Sequence, residues 1–155
     1  CTCRTISTAP LTSSPPDPPP REPAAAWLVG VQADPPKGDL GVLQLAWLGD
    51  AIWELHQRLQ HCRQPGRSHD LHRAVVAAVR ADAQASQLAR LDGWLHESER
   101  DLVRRARNRA GPGPRRGDAA IYGQATGFEA LLGWLFLHEP ARLVELLDHL
   151  KENVP

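Results

Sequence analysis

Apolar residues recur at three- and four-residue steps through Leu45, Leu48, Ile52, Leu55 and Leu59. That is the spacing of one helical face, and it predicts a helix that ends at PGRS, Pro65 to Ser68. A second helix, rich in alanine, is expected from about His69 to Leu91, closed by Asp92-Gly93. A third runs from near Glu97 to Ala110 and stops at the loop GPGPRRGD. A fourth covers about Ala119 to Leu137, and a fifth Pro140 to Lys151, where proline suits a first turn. No segment keeps a two-residue alternation of β-branched residues, and no internal repeat is visible. The expected class is all-α.

Residues 1–38 have another texture. SSPPDPPPREP offers little to bury and cannot continue a helix or a sheet ladder, so this part reads as a disordered tail rich in Pro, Ser and Thr. The folded domain is expected over 39–153. The first sixteen residues hold hydroxyls, one arginine and no acid, which weakly resembles an organellar transit peptide. A dispensable or misassigned extension is the preferred reading. The chain has no methionine, so its start is expected to be processed or to lie elsewhere.

Placed on a wheel at about 100° per residue, Asp50 falls opposite the stripe that starts at Leu45. Leu43, Ala46, Trp47, Trp53 and Glu54 share that second face. A helix apolar on two faces should be buried on both. One face is expected to meet the core and the other a partner, leaving Asp50 semi-buried. The alternative, a helix cap at Asp50, lacks the Glu or Gln that a capping box wants at position 53. A second carboxylate in an apolar run is Glu129, in ATGFEALLGWLFL. It lies off the stripe Phe128, Leu131, Leu132 and Leu135, beside the small residues Ala125, Thr126 and Gly133. A close approach by another helix is expected there. A structural salt bridge to an arginine is the alternative.

Two acids brought together in apolar surroundings repel, and a divalent cation relieves this. Magnesium favours carboxylate and water oxygens, and it can activate water against a phosphoryl group. The spacing of Asp50 and Glu129 along the chain does not say whether they meet.

The net charge is zero, so attraction to nucleic acid must come from local clusters. Arg100 to Arg116 supplies one, with seven arginines against Asp101. Arginine pairs well with phosphate, and the loop could carry Arg115 and Arg116 onto a backbone. A solvated helix face is the alternative. Three cysteines cannot make a disulfide framework and suggest a reducing compartment. No apolar run reaches transmembrane length, so no membrane role is expected. Cys62, His69 and His72 match no common zinc spacing.

Four pieces, LGDAIWEL, LHRAVVAAVRADAQA, VRRARNRAGPGP and IYGQATGFEALLGWLFL, resemble the ribonuclease III catalytic domain and occur in family order. The resemblance is closest to Mini-ribonuclease III, the short form without a double-stranded-RNA-binding domain, and to its cyanobacterial members. It implies an α-helical endonuclease bundle acting as a homodimer. It also implies magnesium at Asp50 and Glu129, double-stranded RNA as substrate, and maturation of the large-subunit (23S) ribosomal RNA precursor. The Trp-lined face of the first helix would pack near the twofold axis.

Arg107, Asn108, Arg109, Arg115 and Arg116 would grip RNA, while Glu54, Gln84 and Tyr122 would support the site. A ribosomal protein or pre-ribosomal particle fits as a further partner, and a bacterial cytoplasm fits before a chloroplast. Full-length ribonuclease III carries two more acids, at the positions of Ala46 and Thr126. A non-catalytic RNA-binding scaffold in ribosome biogenesis is the alternative function, and a helical dimerisation module a third.

Overall fold

Six helices account for nearly all of the described chain, and one of them organises the rest. The computed structural model describes residues 40–113 and 118–152. The expected tail, the boundary at 38/39, and Arg115 and Arg116 lie outside the described residues. In chain order the helices are α1 (Val42–His61), α2 (Ser68–Ala78), α3 (Ala81–Arg90), α4 (Glu97–Arg109), α5 (Ala119–His138) and α6 (Pro140–Glu152). All belong to one unit, Pro36–Pro155. No strand occurs among the described residues, and none of their helices is long and apolar enough to cross a membrane. The all-α expectation holds.

Helix α5 is buried on nearly every side, as a helix apolar all round must be. It packs against α1, α3, α4 and α6. Phe128, Leu131, Leu132 and Leu135, the expected stripe, are fully buried. They join Trp53, Leu91, Val103, Leu143 and Leu146 in the larger core cluster. Across α5, Ala130 meets Leu45, Ala46, Leu102 and Ala106 in a second cluster. Asp118 starts α5 by accepting the Ala120 amide at 2.8 Å, which satisfies one of the unpaired donors of the first turn.

Two expectations need correction. The helix foreseen from His69 to Leu91 is broken at Val79 and Arg80, where Arg80 turns extended (φ −69°, ψ 152°) and caps α3. No glycine or proline marks the break. The Trp53 indole donates to the Ala78 carbonyl at 3.0 Å, so a carbonyl freed at the end of α2 finds its partner on α1.

The second correction concerns α1. Its buried residues are Leu45, Ala46, Gly49 and Trp53, whereas Leu55 and Leu59 of the expected core stripe are nearly half exposed. The face with small residues turns inward because the α5 backbone comes closest there. A β-carbon on Gly49 would stand 1.7 Å from the Glu129 carbonyl oxygen, and one on Gly133 2.1 Å from that of Leu45. The wheel counted leucines, while the packing selected the face that lets two backbones touch.

A buried ion pair was not anticipated. Glu99 is buried, receives the His96 amide at 2.8 Å and pairs with Arg142 at 2.9 Å. Arg142 also stacks over the Trp94 ring at 3.7 Å. Burial would raise the Glu99 carboxyl, but the Arg142 guanidinium and the His96 amide outweigh it and hold the group below its usual range. The pair fastens α4 to α6.

Candidate active site

Asp50 lies in the middle of α1, two turns past its start at Val42, so the cap alternative does not apply. Glu129 lies in the middle of α5. The crossing of the two helices at Gly49 and Gly133 sets these acids side by side. Distances along the chain could not have shown this, because it follows from the tertiary contact.

Asp50 is exposed, not semi-buried as foreseen, and Glu129 is the more enclosed of the two. Burial first, and then the Asp50 carboxylate, push the Glu129 carboxyl up to about 7. The opposing influence is the side chain of Gln84, which hydrogen-bonds Glu129 and favours its charged form. The same side chain, almost wholly buried, donates from Nε2 to Asp50 Oδ1 at 3.5 Å. Helix α3 therefore inserts one neutral amide beside both acids. Among the described residues no arginine or lysine is paired with Glu129, against the salt-bridge alternative.

This arrangement suits a divalent cation. Two carboxylates at a solvent-facing edge repel and have no cationic partner among the described residues, and a hard ion would take their oxygens and keep waters for its other positions. No third His, Cys, Asp or Glu joins them among the described residues. The two positions where full-length relatives have acids are closed to ligation here. Ala46 is buried in the second core cluster, and the buried Thr126 gives its hydroxyl to the Tyr122 carbonyl at 3.0 Å.

The remaining candidates separate. Glu54 sits one turn beyond Asp50, and its carboxylate goes to Arg58 at 2.6 Å, not to the acid pair. Tyr122 is half-buried, two turns before Glu129, and its ring closes over Gly113. A β-carbon on Gly113 would meet that ring at 2.9 Å, and the residue has φ +70°, so this position of the α4–α5 connection needs glycine for both reasons. Arg107, Asn108 and Arg109 are exposed in the last turn of α4. Two other arginines of the segment are engaged, because Arg104 and Arg105 both pair with Asp101, Arg105 at 3.0 Å.

The arginine end of α4 packs on α5. The aliphatic stem of Arg107 and the side chain of Val103 lie against Gly127, two residues before Glu129. Of the α1 tryptophans, Trp53 is in the core and only Trp47, 82% exposed, faces outward.

Comparison with known proteins agrees with the geometry. The description "Ribonuclease III domain" matches residues 43–140, a stretch that contains both acids, Gln84 and the arginine end of α4. A Mini-ribonuclease 3 of a Synechococcus strain is 45% identical over 129 residues, covering 77% of this chain and 94% of the relative. That of Gloeobacter violaceus is 49% identical over 108 residues, covering 70% of this chain and 80% of the relative. A crystal structure of a Fusobacterium nucleatum protein matches with a TM-score of 0.66 at 29% identity, over 75% of this chain and 96% of that one. The chain belongs to the ribonuclease III family, and its relatives there are the Mini-ribonuclease 3 proteins.

Proposed function

We propose that this endoribonuclease of the ribonuclease III type cleaves double-stranded RNA with magnesium held by Asp50 and Glu129, and that its natural substrate is the precursor of 23S ribosomal RNA. One observation carries the reading. The fold joins two carboxylates from different helices at a solvent-facing edge, raises one of them to about 7, and gives them a neutral amide as partner. Such a pair is costly for a purely structural surface and useful for holding a cation beside phosphates.

Asp50 and Glu129 would supply two oxygen ligands, and water the others. Magnesium bound there supplies a Lewis acid for a phosphoryl oxygen and lowers the pKa of a bound water. The protein's own groups do the rest. Gln84 fixes the carboxylates by its hydrogen bonds, and its burial keeps it in one orientation. Arg107, Asn108 and Arg109 present donors to the sugar-phosphate backbone, with Arg115 and Arg116 of the following loop joining them. Duplex RNA is read by shape, phosphates and 2′-hydroxyls, so guanidinium groups on a helical scaffold suffice without base contacts. Glu54, engaged by Arg58, acts on the site only through the stability of α1, and Tyr122 acts by seating the loop.

The reading extends to assembly and setting. Leu43, Trp47, Leu55 and Leu59 leave an apolar strip exposed along α1. A second copy laid on that strip makes the homodimer, and two acid pairs then face the two strands of one duplex. A pre-ribosomal particle in the bacterial cytoplasm is the setting, in keeping with the bacterial sources of the relatives. Residues 39–153 form the catalytic domain.

The test is cleavage of a long labelled duplex RNA, with and without magnesium, by the intact protein and by the Asp50→Asn and Glu129→Gln variants. The expected result is magnesium-dependent cutting by the intact protein, and retained binding without cutting by both variants. Duplex binding with no cutting under any divalent ion would replace the nuclease by the RNA-binding scaffold.

A further inference from the structure

The α1–α2 turn and the outer face of α2 hold a second concentration of arginine, away from α4. Residues 62–80 carry Arg63, Arg67, Arg73 and Arg80 against one acid, Asp70, in a chain of zero net charge. All four arginines are exposed. Asp70 lies 3.7 Å from the His69 ring, and Arg80 is 3.3 Å from Asp82, both of the latter being well exposed. Arg73, Val76 and Ala77 lie on α2, and Arg80 follows in the extended break just after it. They line a shallow open groove.

Two contacts tie this surface to the acid pair. The Trp53 indole, three residues beyond Asp50, holds the Ala78 carbonyl at the end of α2. The Arg80 carbonyl receives the Gln84 amide at 2.9 Å, and the Gln84 side chain reaches Asp50. Arg80 is therefore one turn from the residue that touches Asp50.

We propose that Arg73 and Arg80 form a second phosphate-binding ridge, which holds the duplex backbone on the Asp50 side of the site while Arg107 and Arg109 hold it on the Glu129 side. The inference rests on the ribonuclease reading. Its basis is charge and placement: without a whole-molecule field, a rigid polyanion that crosses the acid pair must be neutralised at both flanks, or the acids themselves repel it.

The measurement is fluorescence anisotropy of a blunt labelled RNA duplex with the full chain in EDTA, as a function of potassium chloride. The variants are Arg73→Glu/Arg80→Glu, the conservative Arg73→Lys/Arg80→Lys, and Arg107→Glu/Arg109→Glu as reference. Circular dichroism and sedimentation accompany each. The charge-reversed α2 pair is expected to weaken binding about tenfold and to lower the slope of log K against log salt by about two, while the lysine pair stays near the intact protein. Wild-type affinity and slope in the charge-reversed α2 pair, beside a weakened α4 pair, would overturn the ridge and leave the ribonuclease reading standing. An altered sedimentation coefficient in the α2 pair would overturn it too, by showing a contact between proteins on this face. Failure of the intact protein to bind or cut any duplex would remove the ribonuclease reading and the ridge together.

Discussion

Glu129 is the residue where stability and activity oppose one another. Its carboxyl is pushed up from 4.5 to about 7 by burial and then by Asp50. Between those values the folded chain keeps a proton that the unfolded chain has released, so stability falls as pH rises through that window. At about 1.4 kcal/mol per unit the loss is at most about 3 kcal/mol, complete above pH 7. Glu129→Gln removes the titration. In EDTA at pH 8 the variant should therefore be about 1–3 kcal/mol more stable than the parent, with little difference at pH 4. Urea unfolding at both pH values measures this, and an equal pH dependence in the two proteins would mean that the Glu129 carboxyl is not strained. The gain in stability should accompany loss of cleavage, as at a site kept for function.

At the scale of elements, the crossing of α1 and α5 decides whether a site exists. Gly49 and Gly133 each leave no room for a β-carbon against backbone atoms of the facing helix. Gly49→Ala must force the helices apart, since the obstructing atoms, the Glu129 carbonyl and the Gly133 amide nitrogen, are all backbone. A cost of about 3 kcal/mol or more is expected, with a fall in melting temperature and lost activity. A melting temperature unchanged from the parent would show that α1 and α5 do not meet in this register. The break at Val79 and Arg80 is the other decision made at this scale. It lets α3 turn across α5 and place Gln84 next to both acids. A straight helix from His69 to Leu91 would not contain that turn.

At the scale of the molecule, the exposed strip on α1 and the division of the arginines set what the surface can do. Trp47 is 82% exposed, and Leu43, Leu55 and Leu59 flank it along the helix. An apolar strip of this kind is characteristic of a surface that is covered in the working assembly. For the proposed dimer, Trp47→Glu should shift sedimentation at micromolar protein from dimer to monomer while leaving the helical circular dichroism intact. A variant that sediments with the parent would place the contact elsewhere. Because Trp53 is in the core and Trp47 is not, Trp53→Ala should instead cost about 3–5 kcal/mol of stability.

The sequence alone determined five helical segments, their approximate outer ends and the two acids. Apolar spacing, Pro-Gly breaks and a neighbouring charge are local signals, and they record which residues one helix presents together. It determined the family resemblance as well, because LGDAIWEL and ATGFEALLGWLFL are short ordered strings. The tertiary structure decided what depends on the meeting of separate segments. It turned Ala46, Gly49 and Trp53 inward beside Leu45 and left Leu55 and Leu59 outside, since backbone approach at glycine outranked the number of large apolar side chains. It broke α2 from α3 without any breaker residue, because the carbonyl left free there had a partner on α1. And it put Asp50, Gln84 and Glu129, 34 and 45 residues apart in the chain, into one cluster, which no spacing in a sequence can express.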